Sequence, residues 1–300
     1  MGKGHQHIPL APSSKNSEHR LWWAIAVNML LTVVQVIAGL VSGSLSLIAD
    51  ALHNFSDAAS LLIAMVAISI GRNPPDHLKS FGYKRAETIA ALINLTTLLL
   101  IGLYLIIEAF QRFYAPVSIE GWTVVIVASV ALIIDVITAV ITYKYSRTSL
   151  NIRAAFLHNI TDALASVGVI LAGILILLYG WIWIDAVITL LISVYVLWQA
   201  IKEMPKVIHI LMQGTPSHIK VEDVSAMMAK VEGVEDVHHL HIWHLDEHRN
   251  ALEAHVVLGE EADMERVKQL LKTLLKNDFA IEHSTLEFEN SGTTQSNCSC

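Results

Sequence analysis

Charge and thiols are what this sequence has least of. Only 16% of its 300 residues are charged, against 54% hydrophobic, where soluble domains average about 25% charged. A water-soluble fold of this composition would leave too much apolar surface facing solvent. Cysteine occurs twice, as Cys298 and Cys300 at the C-terminal end, which excludes a disulfide-stapled secreted scaffold. The formal net charge is −7, so there is no basic excess with which to hold nucleic acid, and none is expected as a partner. Neither a G-x₄-G-K-[ST] phosphate loop nor a D-K-T-G phosphorylation sequence is present, so ATP is not the expected source of energy. An H-E-x-x-H metallohydrolase pair is missing too.

What is there is divided unevenly. Residues 1–203 carry 12 Lys/Arg and 11 Asp/Glu, while residues 204–300 carry 8 and 16. The long first part is nearly neutral; the short second part is acidic and ordinary in composition. Two domains are therefore expected, one in a lipid bilayer and one of about ninety residues in water. A spanning helix needs roughly 20 mostly apolar residues. Six runs qualify, near 21–41, 45–70, 87–111, 121–143, 154–178 and 182–202, parted by breaks such as Ser42-Gly43-Ser44, Asn73-Pro74-Pro75 and Tyr179-Gly180. Polar residues 1–20 precede the first run, so a cleaved signal peptide is not expected. The predicted layout is a cytoplasmic segment 1–20, a six-helix membrane domain 21–203, a cytoplasmic α+β domain 204–290 and a flexible tail 291–300.

Lysine and arginine set the orientation. Lys3, Lys15 and Arg20, then Arg72, Lys79, Lys84 and Arg85, then Lys144, Arg147 and Arg153, then Lys202 and Lys206 fall on one side; the alternate loops hold only Arg112. Positive charge stays on the cytoplasmic side, so both termini are predicted there, in a plasma membrane such as a bacterial inner membrane.

Charges inside a spanning helix are expensive and mark function. Two such segments match: Leu52-His53-Asn54-Phe55-Ser56-Asp57-Ala58 and Leu157-His158-Asn159-Ile160-Thr161-Asp162-Ala163, both L-H-N-x-[ST]-D-A. His and Asp at i and i+4 share a helical face. Joining the second and fifth helices would give His53, Asp57, His158 and Asp162 as two nitrogens and two oxygens, a tetrahedral set suited to Zn²⁺. Asp50, one turn before His53, is a candidate acceptor to orient that imidazole or, equally, a carboxylate facing a pore entrance. Metal and proton compete for these atoms, because histidine must be neutral and carboxylates ionised to bind metal, and histidine ordinarily titrates at about 6.5. A site that alternates between membrane faces would exchange metal for protons. Asp135 lies mid-helix; Glu108 and Asp185 lie nearer helix ends, where a structural role is expected.

The second part reads helix, strand, strand, helix, strand: residues 217–231, 238–245, 251–258, 262–276 and 280–288. This αββαβ order suits a small two-layer α+β domain. Histidines crowd it: His238, His239, His241, His244, His248, His255 and His283. Strict alternation puts His239 and His241 on one face of the first strand and His238 and His244 on the other. Weaker metal-donor candidates are Asp76 and His77 in the loop after the second helix, Cys298 and Cys300, and His5 and His7.

The paired H-x₃-D segments, the run Ser80-Phe81-Gly82-Tyr83-Lys84-Arg85-Ala86-Glu87 and the six-helix-plus-tail layout together resemble the cation diffusion facilitator family, its zinc/cadmium-exporting branch. The resemblance covers about residues 20–290. It implies a homodimer, exchange of Zn²⁺ and also Cd²⁺ for protons, and a metallochaperone-like cytoplasmic domain. It also implies a transport site on His53, Asp57, His158 and Asp162, and a tail metal on His238, His255 and His283. Relatives with a second loop metal use histidine where this chain has Tyr83, and a carboxylate of some relatives is Thr285 here. Zn²⁺ would be both cargo and a structural or regulatory ion; no organic cofactor is expected. The competing readings are a membrane-anchored zinc sensor without transport, an intramembrane zinc enzyme and an ion channel.

Overall fold

The computed structural model describes the backbone of residues 15–146 and 150–290 and the side chains of residues 26–140, 143 and 156–290. The candidates His5, His7, Cys298 and Cys300 lie outside these described residues. Among the described residues, eight helices and three strands follow in the order α1 (Lys15–Ser42), α2 (Leu45–Gly71), α3 (Ala86–Tyr114), α4 (Gly121–Ser146), α5 (Leu150–Tyr179), α6 (Trp183–Leu211), α7 (Val221–Met228), β1 (Val234–His244), β2 (Asn250–Leu258), α8 (Met264–Phe279) and β3 (Ile281–Asn290). The chain divides into two compact units, Met1–Ile63 with Asn94–Lys202, and Ala64–Ile93 with Glu203–Cys300. The expected boundary at residue 203 falls inside α6, which runs on through Pro205 to Leu211.

Among the described residues, α2 to α6 each contain a stretch long and apolar enough to cross a bilayer, and the described apolar part of α1 is Ala26–Ser42. These helices are apolar on nearly every side. Leu30, Leu40, Val41, Leu100, Val140 and Leu178 are all more than 60% exposed, a surface that only lipid tolerates. Their packed faces are built from small residues. An added Cβ at Gly121 would lie 2.9 Å from the Gly173 carbonyl oxygen, and one at Gly173 would lie 2.7 Å from Val125 Cγ2. So α4 and α5 touch backbone to backbone, the close approach small residues permit in membranes.

The turn Ser42-Gly43-Ser44 reverses the chain between α1 and α2, and Gly43 supplies its positive φ of 74°. The first N–H groups of α2 have no partners within their own helix. Asp185 from the first turn of α6 supplies them. Its carboxylate accepts from the N–H groups of Leu45 (2.7 Å) and Ser46 (3.3 Å) and from the hydroxyls of Ser44 and Ser46 (both 2.6 Å). Asp185 therefore has a structural role, as its place near a helix end suggested. Arg112 donates to the Gly43 carbonyl, bracing the same turn.

The second unit contains a three-stranded sheet in the order β1-β2-β3, with β1 antiparallel and β3 parallel to β2. The parallel pairing is made possible by α8, which crosses back between β2 and β3. Leu252, Ala254, Val256 and Leu258 of β2 pack with Val224 and Met228 of α7 and Val267, Leu271 and Leu275 of α8. The three α8 residues recur every fourth position, one helical face. Asp263 caps α8 by accepting from the N–H groups of Glu265 and Arg266, and Ala280 ends it in the left-handed region at φ 54°. Both helices lie on one face of the sheet, so the αββαβ order and the two-layer packing follow the alternation in the sequence.

Candidate metal centre

The four intramembrane residues converge. His53 and Asp57 project from α2, His158 and Asp162 from α5, and their donor atoms all lie within 4.8 Å of one another. The closest contacts run between helices. His53 Nε2 is 3.2 Å from Asp162 Oδ1, and His158 Nε2 is 3.0 Å from Asp57 Oδ2. Within a helix the distances are longer, 3.9 Å for His53–Asp57 and 3.6 Å for His158–Asp162. Each imidazole thus faces the other helix's carboxylate. The two imidazole rings stand 5.8 Å apart at 74°, both offering Nε2 to the same small volume. Tetrahedral donors on metal–ligand bonds of about 2.0–2.2 Å stand roughly 3.3–3.6 Å apart, so a bound ion needs the two short contacts to open slightly and the longer ones to close.

The set is asymmetric. The His53 and Asp162 side chains are 4% and 9% exposed, those of Asp57 and His158 35% and 32%. One His–Asp pair forms the floor and the other the accessible rim. Beside the floor, a cavity of about 220 Å³ is lined by His53, Thr161, Gly168 and Tyr195 among apolar neighbours, and the Tyr195 ring stands edge-on to His53 at 6.4 Å.

Asp50 does not orient His53. It accepts a 2.7 Å hydrogen bond from Gln35 Nε2 of α1, and Gln35 Oε1 in turn accepts from Asn54 Nδ2. Among the described residues, the Nδ1 atom of His53 is buried without a hydrogen-bond partner. Three residues along a helix advance about 300°, so Asp50 leans toward α1 while His53 leans toward α5. Gln35 is the residue that sequence reasoning missed; it is a fully buried polar side chain in an otherwise apolar run. Asp135 accepts from the Ser166 hydroxyl at 3.1 Å, linking α4 to α5.

In the loop after α2, Asp76 is already engaged. Its carboxylate accepts from the N–H groups of Leu78 and Lys79 and from the Tyr83 hydroxyl. The Tyr83 hydroxyl and those two N–H groups hold the Asp76 carboxyl below its usual range, and the same bond pushes Tyr83 up. Neither Asp76 nor His77 belongs to any group of three metal-donor side chains among the described residues. Asp76 is a turn-forming residue instead.

In the sheet, His238 and His255 sit opposite each other and group with Glu289, not with His283. His255 Nδ1 is 2.7 Å and His238 Nε2 3.6 Å from Glu289 Oε1. The parallel register places His283 beside Ala251, four residues from His255 along β2, about 13 Å at strand rise. There its ring stands edge-on to Phe81 at 5.6 Å. Glu289 was legible in principle, since period 2 puts it on the same face of β3 as His283. His239 and His241 group with Glu253, and Glu87 with Glu247 and His248. Burial, with the charge of Glu87 added, pushes the Glu247 carboxyl up.

Residues 21–212 match the sequence model of the cation efflux transmembrane domain, and residues 216–291 that of the cation efflux protein cytoplasmic domain. The chain belongs to the cation efflux family. It is 35% identical over 301 residues to the cadmium, cobalt and zinc/H(+)-K(+) antiporter of Bacillus velezensis, covering 99% of this chain and 95% of that one. It is 34% identical over 290 residues to the metal cation efflux system protein CzcD of Cupriavidus metallidurans, with 96% and 90% covered. It is 31% identical over 291 residues to the zinc transporter ZitB of Escherichia coli, with 96% and 93% covered. Cation efflux proteins of this kind are transporters, not enzymes. The boundary between the two family regions, 212 to 216, falls just after α6 ends at Leu211.

Proposed function

We propose that this chain is a secondary-active exporter that carries Zn²⁺, and also Cd²⁺, out of the cytoplasm in exchange for protons. The observation that carries the reading is the interlocked quartet, with each imidazole of one helix against the carboxylate of the other. Two nitrogens and two oxygens fill a tetrahedral zinc shell without water, which suits a carrier and leaves no open position for hydrolytic chemistry. The same atoms take either one divalent ion or protons. In the protonated state His⁺–Asp⁻ contacts between α2 and α5 hold the two helices together. Metal displaces those protons, and opposed rocking of the helices presents the site to one face at a time.

Six spans, with α1 as the first, put both termini and the sheet domain in the cytoplasm of a bacterial inner membrane, by the distribution of Lys and Arg. The cytoplasmic domain joins two copies as a homodimer, and His238, His255 and Glu289 hold a regulatory Zn²⁺ there. The decisive experiment is zinc uptake into reconstituted vesicles across a controlled pH difference. Uptake should follow the imposed gradient in the wild type and vanish in Asp162→Ala. Flux indifferent to the gradient would refute exchange, and full flux in Asp162→Ala would refute the site.

A further inference from the structure

Among the described residues, helices α7 and α8 cover one face of the sheet and not the other. On β2, Leu252, Ala254 and Val256 go under the helices, while Glu253 and His255 point away from them. Register then sets neighbours: His238 lies across from His255, and His241 across from Glu253. Between these two pairings β1 advances three residues and β2 only two, so β1 carries a bulge. The extra residue includes His239 in the left-handed region, at φ 49°, a conformation uncommon for a residue with a side chain. Strict alternation would separate His238 from His239. The bulge brings the His239 ring to 4.8 Å from His241 and 4.9 Å from His255, while His238 stays 5.4 Å from His255. Four imidazoles therefore form one continuous row.

The row ends in two donor groups, the His238, His255 and Glu289 set and a second one. His239, His241 and Glu253 offer donor atoms that all lie within 4.8 Å of one another. A separate observation points to a ligand here. A cavity of about 550 Å³ opens beside this second group, lined by Gln213, Thr215, His241, Trp243 and Glu253 among others. The ion pairs of Lys and Arg among the described residues go to other acids, so Glu253 is not committed to a protein cation.

We propose that His239, His241 and Glu253 form a second cytoplasmic cation site, specific for borderline divalent ions of the zinc class. Two nitrogens and one carboxylate oxygen favour Zn²⁺ or Co²⁺ over the oxygen-seeking Mg²⁺ and Ca²⁺. The cavity supplies room for water to complete the shell, so the ion exchanges readily. The bulge is the device that creates the site, because without it His239 could not reach both neighbours. The His239–His255 ring contact makes the two tail groups adjoin.

The test uses the full chain in detergent, stripped by a chelator and titrated with Zn²⁺ and with Co²⁺, the latter read by its visible absorption. Glu253→Gln and His241→Asn should each bind one equivalent fewer than the wild type, or bind it at least about tenfold more weakly, with Mg²⁺ failing to compete. Glu289→Gln should remove a different equivalent and leave this one in place. Glu253→Gln and His241→Asn should elute as the wild type and keep zinc uptake in vesicles, which separates this proposal from the transport reading. Glu253→Gln alters one exposed atom, so it decides alone if His241→Asn does not fold. Unchanged stoichiometry and affinity in Glu253→Gln would overturn the proposal. So would loss of both tail equivalents in Glu289→Gln, which would make the row a single site.

Discussion

At the scale of single residues, the proposed transport site makes the quartet the part that sets what the carrier accepts. Replacing one nitrogen by oxygen hardens the site, so His53→Asp should admit Cd²⁺ and Mn²⁺ more readily relative to Zn²⁺. Competition transport checks this, and an unchanged zinc preference would count against the ligand assignment. Gln35 acts at one remove, joining Asp50 and Asn54 of α2 to α1. Gln35→Ala leaves a buried carboxylate and a buried amide without their partner. Stability should fall by about 1–3 kcal/mol, the cost of leaving a buried polar group unpaired, while the metal preference order stays the same. Thermal unfolding in detergent and competition binding to the purified chain measure the two. The quartet itself was legible because a histidine and an aspartate four apart, occurring twice in matching sequence, are too costly at that depth to be incidental. Gln35 was not, because a single amide in an apolar helix has no period to betray it.

At the scale of elements, two polar anchors hold parts of the fold that hydrophobicity does not. Asp185 supplies the N-terminal cap of α2 from a different helix. Asp185→Ala should cost about 2–4 kcal/mol, a lost cap plus several buried hydrogen bonds to a charged group, read as a lower melting temperature in detergent. Asp246 organises the β1–β2 turn. Burial opposes its charge, but the N–H of His248 and the guanidinium of Arg249 outweigh burial and hold the carboxyl below its usual range. A depressed carboxyl contributes its stability above the ordinary value of about 4 and loses it as pH falls through the folded-state value. The sheet domain should therefore weaken below about pH 4, and Asp246→Asn should flatten that dependence; circular dichroism against pH checks it. Five of the spans and the αββαβ order were readable from runs and alternation, and the strands overlap those that period 2 placed, with β1 starting at Val234 rather than His238. The bulge at His239 was not readable, since no glycine or proline marks it. Nor was the register of β3, which α8 fixes from outside the strand. The resemblance implied His283 beside His255, and nothing in the sequence set the β3 register that groups Glu289 with His255 instead.

At the scale of the whole molecule, the chain combines a lipid-facing bundle with a charged sheet domain, and the division of charge in the sequence already separated them. With a regulatory ion at His238, His255 and Glu289, stripping zinc should shift the purified protein from dimer toward monomer, and re-adding it should restore the dimer. Light scattering on the eluting protein reads this, and Glu289→Gln should blunt the response. A dimer fraction insensitive to zinc would remove the tail ion from the assembly.

The carboxylate at the head of α6 also has a mechanical meaning. A rod pinned at one tip swings about that tip. From Leu45 the ring of four ligands begins about 12 Å down the shaft, whereas Gly71 lies about 39 Å away. A tilt that moves His53 by one ångström therefore sweeps the far end by roughly three. On the proposed reading, the cargo can stay nearly still while the opposite mouth opens wide.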